Sequence, residues 1–294
     1  MFYRRKIILA LLQVSGGQID KIRLQKLLFL LSQRQINAEY DFIPYHLGCY
    51  SFSVDADVTT MVKKGILADN NKHLFKNDSA DYLNQLKSGD QRLLIEIMNT
   101  YGQMDATALI KHTYINYPFY AIKSKIAGKI LTDQELHDVN CSIPNIKDTI
   151  LFTIGYEGIS LEEYLVRLIK NNIKVLIDVR FNPLSMKYGF NKSQLKKYCG
   201  NLNIKYIHLP ELGIQSEQRK KLDTQEDYDI LFGKYRRTNL VRTFAYQIQI
   251  LNLLKDYKRI ALTCFESDIY KCHRKILTDA IEKLPGFVYK VKHI

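Results

Sequence analysis

Residues 149–180 read TILFTIGYEGISLEEYLVRLIKNNIKVLIDVR, and their periodicity changes twice. Thr149 to Ile154 is a short, nearly continuous apolar run. Ser160 to Lys170 then brings Leu161, Tyr164, Leu165 and Leu168 onto one helical face, and Ile173 to Asp178 returns to an apolar run. Val175, Leu176 and Ile177 in succession suit a strand buried on both faces, while Ser160-Leu-Glu-Glu163 spells a capping box at a helix start. Strand, helix and strand in this compass form a βαβ unit, which requires parallel pairing.

The same alternation continues toward the C-terminus. Asn191 to Leu202 reads as a helix, with Asn191 and Gln194 arranged like the earlier cap. Lys205 to His208 reads as a strand, Arg236 to Leu254 as a long helical stretch, Arg259 to Cys264 as a strand, Cys272 to Leu284 as a helix and Phe287 to Val291 as a last strand. Residues 149–294 are therefore expected to form an α/β domain with a mostly parallel sheet covered on both faces.

Upstream the pattern is different. Ile7, Ile8, Leu11 and Leu12 share one helical face, and Leu24, Leu27, Leu28 and Leu31 share another, predicting helices near 5–14 and 20–34. Gly16-Gly17 breaks between them and Asp20 is placed to cap the second. Gly48-Cys49-Tyr50-Ser51 is a tight turn, and Ser53 or Asp55 starts a helix ending near Gly65. Apolar residues on either side of Asp69-Asn70-Asn71 predict a hairpin over Ile66 to Phe75, and two or three helices fill 80–130. Residues 1–140 thus read as a mainly α-helical domain with a small hairpin, a winged-helix-like layout that serves DNA reading or protein interaction. Residues 133–148, TDQELHDVNCSIPNIK, are polar with Pro144 near the end and read as the boundary.

Composition narrows the function classes. The 294 residues are 46% hydrophobic and 25% charged, enough apolar content for a buried core. No stretch approaches ~18 consecutive apolar residues, and the N-terminal segment lacks a small-residue cleavage site, so a cytoplasmic chain without membrane contact is expected. The five cysteines, Cys49, Cys141, Cys199, Cys264 and Cys272, form no Cys-x-x-Cys pair and suggest thiols in a reducing compartment. The net charge of +13 is uneven. Residues 1–148 hold 18 Lys+Arg against 15 Asp+Glu, a balance of +3, leaving 25 against 15, or +10, for the remainder. Such a surplus suits either a polyanionic partner, DNA, RNA or a nucleotide, or an ordinary basic surface.

In an open parallel sheet the ligand lies beyond the carboxyl ends of the strands. Those ends carry Gly155-Tyr156-Glu157, Asp178-Val179-Arg180 with Pro183 following, His208 to Gly213 including Glu211, and Cys264-Phe265-Glu266. Cys272-His273-Arg274 opens the last long helix, where free N–H groups and an arginine would hold a phosphate or carboxylate. His273 is either a general acid or base or a packing residue against the fourth strand. Cys272 reads as packing within that anion loop. Cys264 is a nucleophile if the helix start and Arg274 face it, and otherwise a buried strand-end residue. Asp178 and Arg180 form an orienting pair, or an acid and a phosphate clamp. Glu157, Glu211 and Glu266 supply carboxylates for activating water or holding ribose hydroxyls. No His-x-x-x-His or clustered Cys/His spacing occurs, so neither a metal nor a cofactor is expected.

Two families resemble the two halves. IRLQKLLFLLSQRQ, YDFIPYHLGCYS and VTTMVKKGIL resemble the Panacea, or SocA-antitoxin-like, domain over residues 1–140, with Cys49 where its members commonly have Pro. That resemblance implies a protein-interaction domain of the antitoxin or protease-adaptor type, found beside toxins and in defence loci. TIGYEG, DVRFNPLSMKYGFNKSQLKKY, YIHLPELG and ALTCFESDIYKCHRKIL, in this order, resemble the domain-of-unknown-function 488 family over nearly all of 150–294. The resemblance marks Gly155, Tyr156, Asp178, Arg180, Pro183, Ser185, Phe190, Asn191, Leu212, Gly213, Cys264, Glu266, Cys272, His273 and Arg274 as its motif positions.

The reading these observations favour is a nucleic-acid- or nucleotide-processing hydrolase acting on a phosphoester or N-glycosidic bond, with modified phage DNA as one substrate it accommodates. Asp178, Cys264, Glu266 and His273 are its candidate catalytic residues. Gly155, Tyr156, Glu157, Arg180, Pro183, Ser185, Phe190, His208, Glu211, Gly213, Cys272 and Arg274 are its candidate binding residues, with Tyr156, Tyr188 or Phe190 stacking on an extruded base. The helical domain would bind a protein partner. The alternative is a non-catalytic nucleotide or nucleic-acid sensor, or a toxin–antitoxin-type adaptor.

Overall fold

Asp20 accepts hydrogen bonds from the backbone N–H groups of Ile22 and Arg23, and this cap starts the helix that organises the first half of the chain. The computed structural model describes residues 1–219 and 222–294. The chain divides into two compact units, Met1–Ile143 and Pro144–Ile294.

In the first unit α1 (Tyr3–Val14), β1 (Gln18–Asp20), α2 (Lys21–Ser32), β2 (Ile43–Tyr45), β3 (Gly48–Tyr50), α3 (Phe52–Lys63), β4 (Leu67–Asp69) and β5 (His73–Lys76) precede four helices. These are α4 (Ser88–Tyr101), α5 (Ala106–Asn116), α6 (Ala127–Ile130) and α7 (Asp133–Cys141). Strands β1, β5 and β4 make an antiparallel sheet in that order, the wing of a winged-helix layout. Gly16 and Gly17 both adopt positive φ between α1 and β1, as the predicted break requires. The β2–β3 ribbon is locked to α2: Gln25 exchanges two hydrogen bonds with the Ser51 backbone, and the Lys26 ammonium donates to the Cys49 carbonyl at 2.7 Å. At Gly48, φ is +88° and an added Cβ would strike the Tyr114 ring, so the turn needs glycine twice over.

Two local expectations shift here. The third helix starts after Ser51, whose hydroxyl accepts from the Val54 N–H, earlier than the predicted Ser53 or Asp55. The polar segment 133–148 holds α7, because Thr132 and Glu135 complete a reciprocal capping box.

The second unit contains β6 (Ile150–Gly155), α8 (Leu161–Lys170), β7 (Val175–Asp178), α9 (Lys192–Asn201), β8 (Lys205–His208), α10 (Gln225–Arg237), α11 (Asn239–Arg242), α12 (Phe244–Tyr257), β9 (Arg259–Cys264), α13 (His273–Glu282) and β10 (Lys290–His293). The sheet is wholly parallel, in the order β10-β6-β9-β7-β8. Leu151, Val175, Ile177, Ile260 and Leu262 are buried in one core with Leu251, Leu254, Leu277 and Ile281 from the helices. The last-predicted inner strand, β9, lies at the centre, between β6 and β7.

Four differences have local causes. Ser160 caps α8 by accepting from the Glu163 N–H, while the Glu163 carboxylate turns to Arg167 one turn on, so only half of the expected box forms. Asn191 is the N-cap of α9 without a side-chain bond. The long helix expected over 236–254 is divided at Thr238 and Thr243, whose hydroxyls bond back to the Lys234 and Asn239 carbonyls. The last strand runs over Lys290–His293, later than predicted, because Gly286 turns at φ +83° and the Phe287 N–H closes onto the Leu284 carbonyl.

Candidate functional site

Strand register fixes which strand-end residues meet. Gly155 pairs with Cys264, Asp178 lies between Thr263 and His208, and all stand at the carboxyl edge of the sheet. Beyond this row opens a cavity of about 300 Å³, lined by residues that include Tyr156, Arg180, Ser185, Arg219, Cys264 and His273.

Arg180 is the best-held side chain of the site. Its Nε and Nη2 engage both oxygens of the fully buried Asp178, and Nη1 donates to Tyr156 Oη at 2.8 Å and to the Phe190 carbonyl at 2.9 Å. Burial disfavours the Arg180 cation, but the bonded Asp178 carboxylate more than reverses this and raises its pKa. Asp178 also accepts from the Arg180 N–H and from Tyr206 Oη at 2.6 Å. With its oxygens so engaged, Asp178 orients Arg180 and leaves no oxygen directed at a substrate. Of the two roles read from sequence for this pair, the geometry is that of the orienting one.

The rest of the wall follows. Tyr156 stacks on Phe190 with ring centroids 4.2 Å apart, and both rings are buried. Neither presents a free face to a base. The Lys187 ammonium donates to the Tyr156 carbonyl, and Ser185 accepts from the Lys187 N–H. His208 bonds to the Arg180 carbonyl at 2.9 Å, and the Pro183 carbonyl accepts from the Lys192 N–H. Gly155 and Gly213 are close-approach positions: an added Cβ would lie 1.9 Å from the Glu266 carbonyl at the first and 2.2 Å from the Phe181 nitrogen at the second. Glu157 is exposed and accepts from the Ser267 N–H and hydroxyl. Glu211 is directed to Tyr246 and does not line the cavity.

At the cavity floor lies a second cluster. Cys272 caps α13, and His273 and Arg274 begin it. Arg274, 1% exposed, donates from Nε to Cys272 Sγ at 3.1 Å and from Nη2 to the Glu266 carbonyl. The helix start and Arg274 therefore face Cys272 and not Cys264, because Arg274 is folded inward by its two bonds. Burial opposes ionisation of Cys272, but the hydrogen bond from Cys264 and the Arg274 charge outweigh it and hold the thiol well below its ordinary range. Cys264, hydrogen-bonded to Cys272 and buried, is pushed well above that range. His273 Nε2 lies 3.1 Å from the Val179 carbonyl, while Nδ1 lies 3.8 Å from Cys264 Sγ and 3.9 Å from Cys272 Sγ. Glu266 pairs with Arg219 at 2.5 Å, and burial together with the nearby Cys272 sulfur raises its pKa.

Three contributors were missed in the sequence. Arg219 lies in a polar segment without periodicity and reaches Glu266 only through the fold. Tyr206 sits on β8 two residues before His208, and the strand alternation that puts both on one face was the available signal. The grouping of Cys264, Cys272 and His273 joins a strand end to a helix start and carries no short ligand spacing.

Four apolar side chains stand at the mouth of the cavity beside the polar Asn182 and Ser185. Phe181, Leu184, Met186 and Phe265 are exposed there, with Met186 almost wholly in solvent. Among the described residues no helix is long and apolar enough to cross a membrane.

Residues 160–281 match the family model described as a domain of unknown function, DUF488, which supports the resemblance read for the C-terminal half. No curated protein matches the chain.

Proposed function

We propose that the second unit is a nucleotide- or nucleic-acid-processing hydrolase, acting in the cytoplasm on a phosphoester or N-glycosidic bond in the cavity beyond β6, β7 and β9. One observation carries this reading. Arg219, backed by the buried Arg180, lines a single cavity whose mouth exposes Phe181, Leu184, Met186 and Phe265. Positive charge at the cavity wall, from Arg219 and from the buried Arg180 behind it, suits phosphate oxygens, and exposed aromatic side chains at the mouth suit the faces of bases. Phe181 and Phe265 take the stacking role, since Tyr156 and Phe190 cover each other. Cys264 and His273 at the floor present the groups nearest the bond to be broken. The +10 balance of this half adds long-range attraction for a polyanion, modified phage DNA included.

The first unit is read as its partner-binding or regulatory part, on the Panacea-like strings around Lys26 and Gly48 that interlock α2 with β2–β3. A second reading, a sensor that binds a nucleotide without turning it over, is favoured by Asp178. Its carboxylate is wholly engaged by Arg180 and Tyr206 and is withdrawn from water activation.

Mass spectrometry of a panel of nucleotides and of plain and base-modified DNA and RNA, before and after incubation with the full chain, tests both. A released base, nucleotide or cut strand that disappears in Arg219→Gln establishes the hydrolase. Intact ligands bound in a salt-sensitive manner establish the sensor. Neither product nor binding from folded protein removes both readings.

A further inference from the structure

The cluster at the cavity floor has a chemistry that phosphate binding does not use. Cys264 ends β9, Cys272 caps α13 and His273 follows it. Their two sulfurs and one ring nitrogen lie within 4.8 Å of one another, and all three residues are buried. Among the described residues no other group of three such donors converges in this way. Bonds of zinc to sulfur and nitrogen, set at tetrahedral angles, put ligand atoms roughly 3.6–3.8 Å apart. The separations from His273 Nδ1 to the two sulfurs, 3.8 and 3.9 Å, need little contraction to reach that spacing.

The imidazole is already turned for the task. His273 Nε2 donates to the Val179 carbonyl, which leaves Nδ1 as the nitrogen turned toward the sulfurs. A histidine fixed through its far nitrogen by a backbone carbonyl is the usual support of a metal ligand. The Arg274 Nε–H and the start of α13 sit against Cys272 and favour the thiolate that a metal requires. Two thiolates and an imidazole select a borderline-soft ion over magnesium or calcium.

We propose that Cys264, Cys272 and His273 form a zinc site with three protein ligands. Cys264 and His273 both line the cavity, so the fourth position opens onto it, as in sites where zinc holds water or substrate and unlike closed structural sites. The site stands on its donor geometry and does not depend on which bond or ligand the cavity takes.

The test uses the full chain, kept reduced, stripped with a chelator and titrated separately with Zn²⁺ and Co²⁺. Elemental analysis should find one zinc per chain. Cobalt should give intense visible bands of a tetrahedral centre and the ultraviolet charge-transfer band of thiolate ligation. Cys264→Ser, Cys272→Ser and His273→Gln should each weaken zinc by about ten-fold or more, while Cys141→Ser and Cys199→Ser leave it unchanged, with circular dichroism reporting the fold of each. If a ligand variant fails to fold, the intensity of the wild-type charge-transfer band still counts the thiolates. Folded, reduced wild-type protein that takes up no zinc, or cobalt bound without the thiolate band, overturns the site. So does a Cys264–Cys272 disulfide that persists under reducing conditions.

Discussion

Asp178 Oδ2 and Arg180 Nη2 lie 2.5 Å apart with both side chains shut away from solvent, yet the arginine is a wall of the cavity. The pair aims a cation and at the same time fills the space between β7 and the loop after it. Removing one partner leaves a charge buried without its counterion. Asp178→Asn and Arg180→Met should each cost about 3–5 kcal/mol, and the double variant should cost markedly less than the two together. Urea unfolding in a double-mutant cycle measures this, and additive losses would refute the coupling.

The second prediction concerns the cavity wall outside the sheet. Arg219→Gln removes a cation that pairs with Glu266 at the cavity wall. If a phosphate binds there, binding of a nucleic acid should weaken, and the slope of log affinity against log salt should fall by about 1. An unchanged slope would take Arg219 out of phosphate binding. Because Arg219 is also the counterion of the largely buried Glu266, some stability should be lost as well, and circular dichroism of the variant separates weakened binding from unfolding.

Glycine at 155 is fixed by contact and not by φ. Gly155→Ala drives a methyl into the Glu266 carbonyl and should cost about 3 kcal/mol. Gly158 has φ +78° and open space around it, so Gly158→Ala meets backbone strain alone and should cost about 1 kcal/mol. Chemical denaturation of the two variants ranks them, and a reversed order would contradict the close approach of β6 to the Glu266 loop.

Much of this was legible along the chain. The βαβ run over 149–180 could be read because strands covered on both faces are apolar without alternation, and because α8 shows a clean apolar stripe of Leu161, Tyr164, Leu165 and Leu168. Arg180 follows β7, Cys264 ends β9 and His273 opens α13, and they meet at one cavity because a parallel sheet gathers its strand ends on one edge. What failed was whatever depended on partners distant in sequence. Nothing local says that Glu211 faces Tyr246 or that Tyr206 reaches Asp178. Arg219 was invisible for the same reason, its role being defined by Glu266 across the fold.

Gln25 offers a test of the helical unit. Its side chain serves both the N–H and the carbonyl of Ser51, tying α2 to the turn that begins α3. Gln25→Leu removes both bonds from a buried site and should cost about 2 kcal/mol. Hydrogen exchange at the Ser51 amide should quicken with it, and unaltered protection would show that the turn stands without Gln25.

Alkaline pH should act on the same unit. Tyr114 and Tyr120 are pushed up to about 12, burial being the largest cause for each. Their neutral phenols are the forms the fold favours. The stabilisation is therefore complete below the ordinary value of 10.0 and is lost as pH rises toward the folded value. Ultraviolet difference titration should resolve an early group of tyrosines and a late one, with loss of ellipticity following the late group. A single titration near the ordinary value with the fold intact would contradict it.

Strand β9 is both the middle of the sheet and the bearer of Thr263 and Cys264, so its side chains serve cohesion and site shape at once. Such a strand leaves little room for variation: most exchanges there would be felt first as lost solubility or yield. Substitution that spares the scaffold has its freest ground on the rim, at Phe181, Leu184, Met186 and Phe265, whose side chains are exposed. The architecture thereby separates a floor bound into the sheet from a mouth that the core does not constrain.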